Sequence, residues 1–444
     1  MNETVYHITV LSNFARGYDK YRRVYAKRGI PESTYPDRFY VLRPDELGIG
    51  VQKASALLER LALPGNRLIA LRATLPAGHL LPNERNGLGR VWAGGELPLD
   101  GVCEVAAGGD GPVAAPAQLE DVAADSLRVL NAALLDYAAL QPRTVSVLPI
   151  ARGCQAACPF CFSDASASAD QEQGRVDFAR VEEVLRTGRA RGAERAVITG
   201  GGEPGLLREE ALLQLIRTCA AEFRKVVLIT NGHRHAHLDD SRRTASLRSL
   251  AEAGLTVLNV SRHHYGDAEN TAIMHLDTRS AELARTWQEQ RNTLPDLTFR
   301  FTCVLQRGGI ADKTAVRDYV AWAASLGVPE ICFKELYVST SRESLYHSKA
   351  ANEWAACHQV PLSVVIEFVR ENGFTEVARL PWGAPVFRGN INGRQISVAA
   401  YTEPSLFWER TQGIARSWNL MADGRCLVSL EDRASEILPL PAQS

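Results

Sequence analysis

Between Thr144 and Tyr337, short apolar runs alternate with amphipathic stretches, and this alternation constrains the fold more than any other feature of the chain. Runs at 145–150, 195–199, 225–230, 255–261, 297–305 and 330–337 read as six strands. The stretches between them, at 178–189, 206–222, 242–253, 279–291 and 313–326, have helical spacing. Gly192, Gly254 and Gly327 close three of these helices, where a C-terminal cap calls for left-handed backbone. Right-handed crossovers between successive parallel strands curl the sheet one way, so six units give an open partial barrel. Chemistry in parallel barrels collects at the C-terminal strand ends, which makes the residues just after each strand the ones to read closely.

The flanks differ in texture. Residues 1–118 mix β-like runs (6–11, 39–42, 66–73) with one helical stretch at 50–61 and read as an α+β module. Glycines and prolines at 106–118 end it. A linking helix follows within 119–143, stopping at Gln141-Pro142, and the barrel occupies 144–340. Residues 341–444 read as a separate C-terminal cap: a helix at 361–371, then two hairpins whose Asn392-Gly393 and Asp423-Gly424 pairs suit type I′ turns. The fold class is therefore α/β, a partial (β/α)6 TIM-like barrel with an N-terminal α+β module and a helix-plus-hairpins cap.

Composition narrows the setting. Fifty Lys and Arg against 51 Asp and Glu leave a net charge of -1, no overall field for gripping nucleic acid. The most apolar windows, 57–75 and 119–140, are broken by Glu59, Arg60, Arg67, Asp121 and Asp125, so no membrane span is expected. The N-terminus lacks the basic and apolar regions of a signal peptide. Nine cysteines, an odd number scattered through a long chain, do not read as a disulfide framework, and the expected location is cytoplasmic.

Three of those cysteines, Cys154, Cys158 and Cys161, fall in one Cys-x3-Cys-x2-Cys loop directly after the first strand. Three thiols on a glycine-preceded loop cannot all enter a core, so they point to metal. Zinc in a structural site wants a fourth protein ligand, and no Cys or His pair at short spacing lies nearby. A four-iron cluster on three thiolates would instead keep one iron open. After the second strand comes Gly200-Gly201-Gly202-Glu203-Pro204, whose glycines permit close backbone approach and whose carboxylate suits an ammonium.

Together these motifs resemble the radical S-adenosylmethionine (SAM) superfamily, in the branch of the first enzyme of molybdenum-cofactor synthesis and the peptide maturases. An aromatic residue before the third cysteine, Phe160 here, is part of the likeness. The resemblance implies one 4Fe-4S cluster on Cys154, Cys158 and Cys161, with SAM chelating the open iron. Gly201, Gly202 and Glu203 would meet its amino group, and Asn231, Ser261 and Arg262 its ribose and carboxylate. It also implies an external one-electron donor, flavodoxin- or ferredoxin-like, and a 5'-deoxyadenosyl radical that takes hydrogen from a C–H bond. The branch often adds C-terminal cysteine clusters. Only Cys357 and Cys426 follow the barrel here, so a single cluster is expected.

Period-two parity puts Val257, Asn259, Ser261 and His263 on one strand face and Arg300, Thr302, Val304 and Gln306 on another. Polar residues on a parallel-barrel face suggest a cavity for a polar substrate. His263, His264 and Tyr265 follow the fourth strand and, with Lys334 on the sixth, are the catalytic candidates. The expected activity is modification of a peptide side chain in natural-product biosynthesis, since the N-terminal module could hold a leader by strand addition. A small polar metabolite is the alternative substrate. From another class, an electron-transfer iron–sulfur protein or a zinc-stabilised binding module would leave the Gly201–Pro204 turn unexplained.

Overall fold

A computed structural model describes residues 136–438, apart from 164–166, 172–174, 339–344, 347, 381–383, 402, 404–408 and 410–412, together with six strands before residue 106. The helix expected at 50–61, the linker at 106–118 and most of the linking helix lie outside the described residues. The chain divides into two compact units, 1–136 with 340–342 and 403–412, and 137–339 with 343–402 and 413–438 onward. In the first unit the strands form one six-stranded sheet, with Asn2–Leu11 at its centre pairing antiparallel with Arg67–Pro76 over ten residue pairs. Its edges are Leu80–Pro82 and Gly101–Val105.

The second unit is built on six parallel strands, β1 (Val145–Val147), β2 (Ala196–Ile198), β3 (Val226–Thr230), β4 (Val257–Ser261), β5 (Thr298–Leu305) and β6 (Glu330–Glu335), neighbours in chain order. Between them run α1 (Phe178–Ala190), α2 (Glu209–Glu222), α3 (Asp240–Glu252), α4 (Asp267–Met274), α5 (Ser280–Gln290) and α6 (Lys313–Ser325). Asp177, Asp239 and Asp312 cap α1, α3 and α6 by accepting backbone N–H bonds, and Gly192, Gly254 and Gly327 take positive φ as their positions require.

The two faces of the sheet differ. Phe299, Phe301, Cys303 and Leu305 are fully buried under the helices, while Thr298, Arg300 and Thr302 between them stay partly open. On β6, Ile331, Phe333 and Glu335 are buried, and Glu330, Cys332 and Lys334 alternate with them on the opposite face. The register pairs Asn259 with Arg300 and Arg300 with Glu330, so the inner face carries a continuous polar row.

Beyond the barrel lie α7 (Ala350–His358), α8 (Ser363–Glu371), β7 (Thr375–Arg379), β8 (Pro385–Ile391), β9 (Arg394–Tyr401), β10 (Trp418–Leu420), β11 (Cys426–Leu427) and β12 (Glu436–Ile437). The sequence reads this tail as a separate cap; its hydrogen bonding joins it to the barrel instead. Strand β9 pairs parallel with β6, and β10 pairs parallel with β1, so the tail extends the sheet at both edges, which would otherwise expose unpaired backbone. The described sheet runs β7-β8-β9-β6-β5-β4-β3-β2-β1-β10-β11-β12 without closing. Asn392 and Gly393 both take positive φ, as a type I′ turn demands, whereas at the second turn only Gly424 does. That hairpin is instead closed by Met421 exchanging backbone bonds with Gly424 and Arg425.

Candidate active site

The cysteine loop is shaped by its backbone contacts. Gly153 enters it at φ 97°, the Cys161 N–H donates to the Cys158 carbonyl at 3.0 Å, and the Ala157 N–H reaches the end of α4 at Met274. The turn after β2 locks to the same loop: the Gly202 N–H donates to Ile150 O at 2.7 Å and the Glu203 N–H to Gly153 O at 2.8 Å. A Cβ on Gly202 would stand 2.3 Å from Gly153 O, and one on Gly201 would stand 2.6 Å from Ala151 O. These two glycines are therefore required by the contact between turn and loop, independently of any ligand.

Glu203, expected to meet an amino group, is 4% exposed. Its Oε1 accepts from the Gly205 N–H at 2.7 Å and the Thr230 hydroxyl at 2.5 Å, and its Oε2 accepts from the Asn231 N–H at 2.7 Å. Burial raises its pKa while those three donors pull the other way. It acts as a clasp between the turn and the end of β3. Asn231, held by it, donates from Nδ2 to Gln155 Oε1 at 3.2 Å and to Cys154 Sγ at 3.6 Å.

Other expected residues part company. Ser261 remains on the inner face opposite Thr302, but Arg262, one residue on, points the other way and is 1% exposed. Its guanidinium donates to the carbonyls of His264 and Tyr265 and to Asp267 Oδ1, with Trp322 stacked at 4.8 Å. Here it braces the 263–267 loop from the face that strand alternation turns away from Ser261. His263 is corrected as a proton carrier: its Nδ1 accepts from the Val304 N–H at 3.1 Å, and burial, with Arg262 adding, pushes its pKa down to about 3. Its ring stands edge-on to Phe160 at 5.0 Å. His264 stacks on Tyr265 at 4.4 Å and accepts from the Gly266 N–H, and burial lowers its pKa. The Lys334 ammonium lies 5.3 Å from the centre of the Tyr401 ring.

One contributor was invisible to motif reading. Helix α7 anchors at the C-terminal ends of β5 and β6 through the Arg307 N–H to His358 O and the Gln359 Nε2 to Leu336 O. It brings Trp354 to 5.8 Å from Phe160, and Trp354 stacks in turn on His358 at 3.8 Å. Trp354 and Phe160 pack with Val338 against Val304, Leu336 and Ala355, forming an apolar wall beside the cysteine loop. The only available signal was the spacing of Trp354 and His358 by one helical turn.

The three thiols fit an iron–sulfur cluster. Burial, with the neighbouring Cys161 and Cys154 adding, pushes the Cys158 thiol up to about 12, so the sulfurs lie close enough to feel one another. Thiols so disposed become thiolates when a cation compensates them. Among the described residues no three His, Cys, Asp or Glu side chains converge on a single ion. A cubane asks for less convergence, because each thiolate meets a different iron.

Residues 148–288, which span the cysteine loop and the turns after β2, β3 and β4, match the sequence model of the radical SAM superfamily. Residues 148–288 are a radical SAM superfamily domain. A domain of this family implies SAM and an iron–sulfur cluster. Among solved structures it is similar to SuiB of Streptococcus suis bound to S-adenosylmethionine, at 16% identity over 65% of this chain and 60% of that one, TM-score 0.42. SuiB bound to its precursor peptide SuiA gives 16% identity over 65% and 59%, TM-score 0.42. The coproporphyrinogen III oxidase HemN of Escherichia coli gives 10% identity over 53% and 54%, TM-score 0.34. The chain thus spans about 60% of the length of SuiB. No curated protein matches it. Among the described residues no helix is long and apolar enough to cross a membrane.

Proposed function

We propose that this radical SAM enzyme abstracts hydrogen from a C–H bond of a peptide side chain, using one cluster held by Cys154, Cys158 and Cys161. When bound, cluster and SAM supply the electron and the carbon radical that break the C–H bond. The chain's own groups do the rest. The Gly201–Glu203 turn and Asn231 frame the cysteine loop, and Asn231 Nδ2 offers Cys154 sulfur a hydrogen bond of the kind that tunes cluster potential. Phe160, Trp354 and His263 exclude water on one side, while Asn259, Ser261, Thr302 and Lys334 offer polar contacts to a substrate.

The observation that carries this reading is the polar inner face beside the cysteine loop, where the Thr302 hydroxyl donates to Asn259 Oδ1 at 2.8 Å and neighbouring strands would normally be apolar. The edges of the N-terminal sheet, Leu80–Pro82 and Gly101–Val105, favour a peptide, which can add a strand there. The polar face equally suits a small polar metabolite as second reading. A peptide encoded beside this chain's gene should be altered in mass with one 5'-deoxyadenosine formed per event. Trp354→Ala should keep SAM cleavage but lower product per 5'-deoxyadenosine. Turnover of free metabolites with no change in the peptide would favour the second reading.

A further inference from the structure

At the end of the sheet opposite the cysteine loop, where β1, β2 and β3 begin, lies a cavity of about 470 Å³ lined by Arg143, Glu194, Arg195, Lys225, Arg379 and Leu380. Arg195 and Lys225 share the inner-face parity of Val197 and Val227, and Arg300 on β5 carries positive charge to the same place. The carboxylates present are committed. Glu194 lies 3.6 Å from Arg143, Glu330 accepts from Arg300 Nε at 2.8 Å, and Glu376 from Arg379 Nε at 2.5 Å. Arg195 Nε donates to a neutral partner, the Thr144 hydroxyl, at 3.1 Å. Lys225 feels Arg300 and Arg195 more strongly than it feels Glu330.

Four cations and one carboxylate, Glu194, thus line the cavity, while nearby Arg300 is matched by Glu330 and Arg379 by Glu376, so positive charge is in excess among the described lining residues. Folding like charges together is unfavourable unless something offsets it. Radical chemistry at the other end of the barrel makes no use of these residues. We infer that this cavity is a binding site for a small phosphate anion such as pyrophosphate, gripped by Arg195 and Lys225 with Arg143 and Arg379 at its rim. Guanidinium forks suit phosphate oxygens, and the excess of positive charge suits a multiply charged anion.

Calorimetric titration of the cluster-loaded enzyme with pyrophosphate at low ionic strength tests the site. Saturable one-site binding is expected, unaffected by saturating SAM, and weakened at least tenfold in Lys225→Gln and in Arg195→Gln. Melting provides a second readout. Without added anion Lys225→Gln should melt above the parent, because repulsion is relieved; with saturating pyrophosphate the order should reverse. Absence of saturable binding, affinity unchanged in both variants, or loss of binding on adding SAM would overturn the inference. Citrate binding as tightly as pyrophosphate would overturn the assignment to phosphate.

Discussion

Arg262 shows how a single residue can look like a ligand contact and work as a brace. Four hydrogen bonds from its guanidinium go to the His264 and Tyr265 carbonyls, Asp267 and Ser280, and its face is covered by Trp322. Replacing it with Gln removes a buried guanidinium and leaves the buried Ser280 hydroxyl and the part-buried His264 and Tyr265 carbonyls without it, and should lower stability by about 2–4 kcal/mol, read as a drop in urea midpoint, with the SAM affinity of the folded protein unchanged. A weakened SAM affinity at unchanged stability would restore it as a ligand. His235 makes a different kind of statement. Its Nδ1 pairs with the Ser246 hydroxyl, its Nε2 is buried without a partner, and burial, with Arg234 adding, brings its pKa down to about 4. The unfolded chain takes a proton near pH 6.5 that the native chain refuses until about 4. Its contribution is therefore complete above pH 6.5 and is lost as pH falls toward 4. The stability gap between the parent and His235→Gln should narrow between pH 7 and 4.5; a constant gap would contradict this.

At the scale of elements, close approach decides more than propensity. Helix α1 passes β1 at Gly188, where a Cβ would stand 2.3 Å from Val145 Cγ2 and 3.5 Å from the Trp418 ring. Alanine favours a helix over glycine by about 1 kcal/mol, but overpacking a stiff β-branched neighbour costs roughly 1–3 kcal/mol. Gly188→Ala should therefore lower the thermal midpoint, and a rise would show that β1 yields easily. The six barrel strands and five of their helices were legible because each is a local periodic pattern, and three of the helices, α1, α3 and α6, are also capped by Asp and followed by Gly. Alternation along β4 also contained the answer for Arg262: a residue adjacent to inward-facing Ser261 must face outward. Helix α7 was illegible because its short stretch, Ala350–His358, carries no cap motif and its value lies in Trp354 meeting Phe160, 194 positions away in sequence. The Asp423-Gly424 pair resembled a type I′ turn by composition, yet only its glycine adopts the left-handed backbone.

For the whole molecule, the radical SAM barrel is completed sideways by its own tail, with β9 on β6 and β10 on β1. Turn signals mark hairpins but say nothing about which distant edge a strand will join, so the tail's placement could not be read from sequence. The cysteine loop could be, because three thiols at fixed spacing carry their chemistry locally. Everything attributed to the site depends on that loop holding a cluster with one iron free for SAM. The direct measurement is anaerobic reconstitution followed by SAM and dithionite, with 5'-deoxyadenosine and bound iron quantified. The parent should bind about four irons per chain and form 5'-deoxyadenosine, and Cys158→Ala should form none. A colourless protein that retains zinc, or product formation undiminished in Cys158→Ala, would contradict the account.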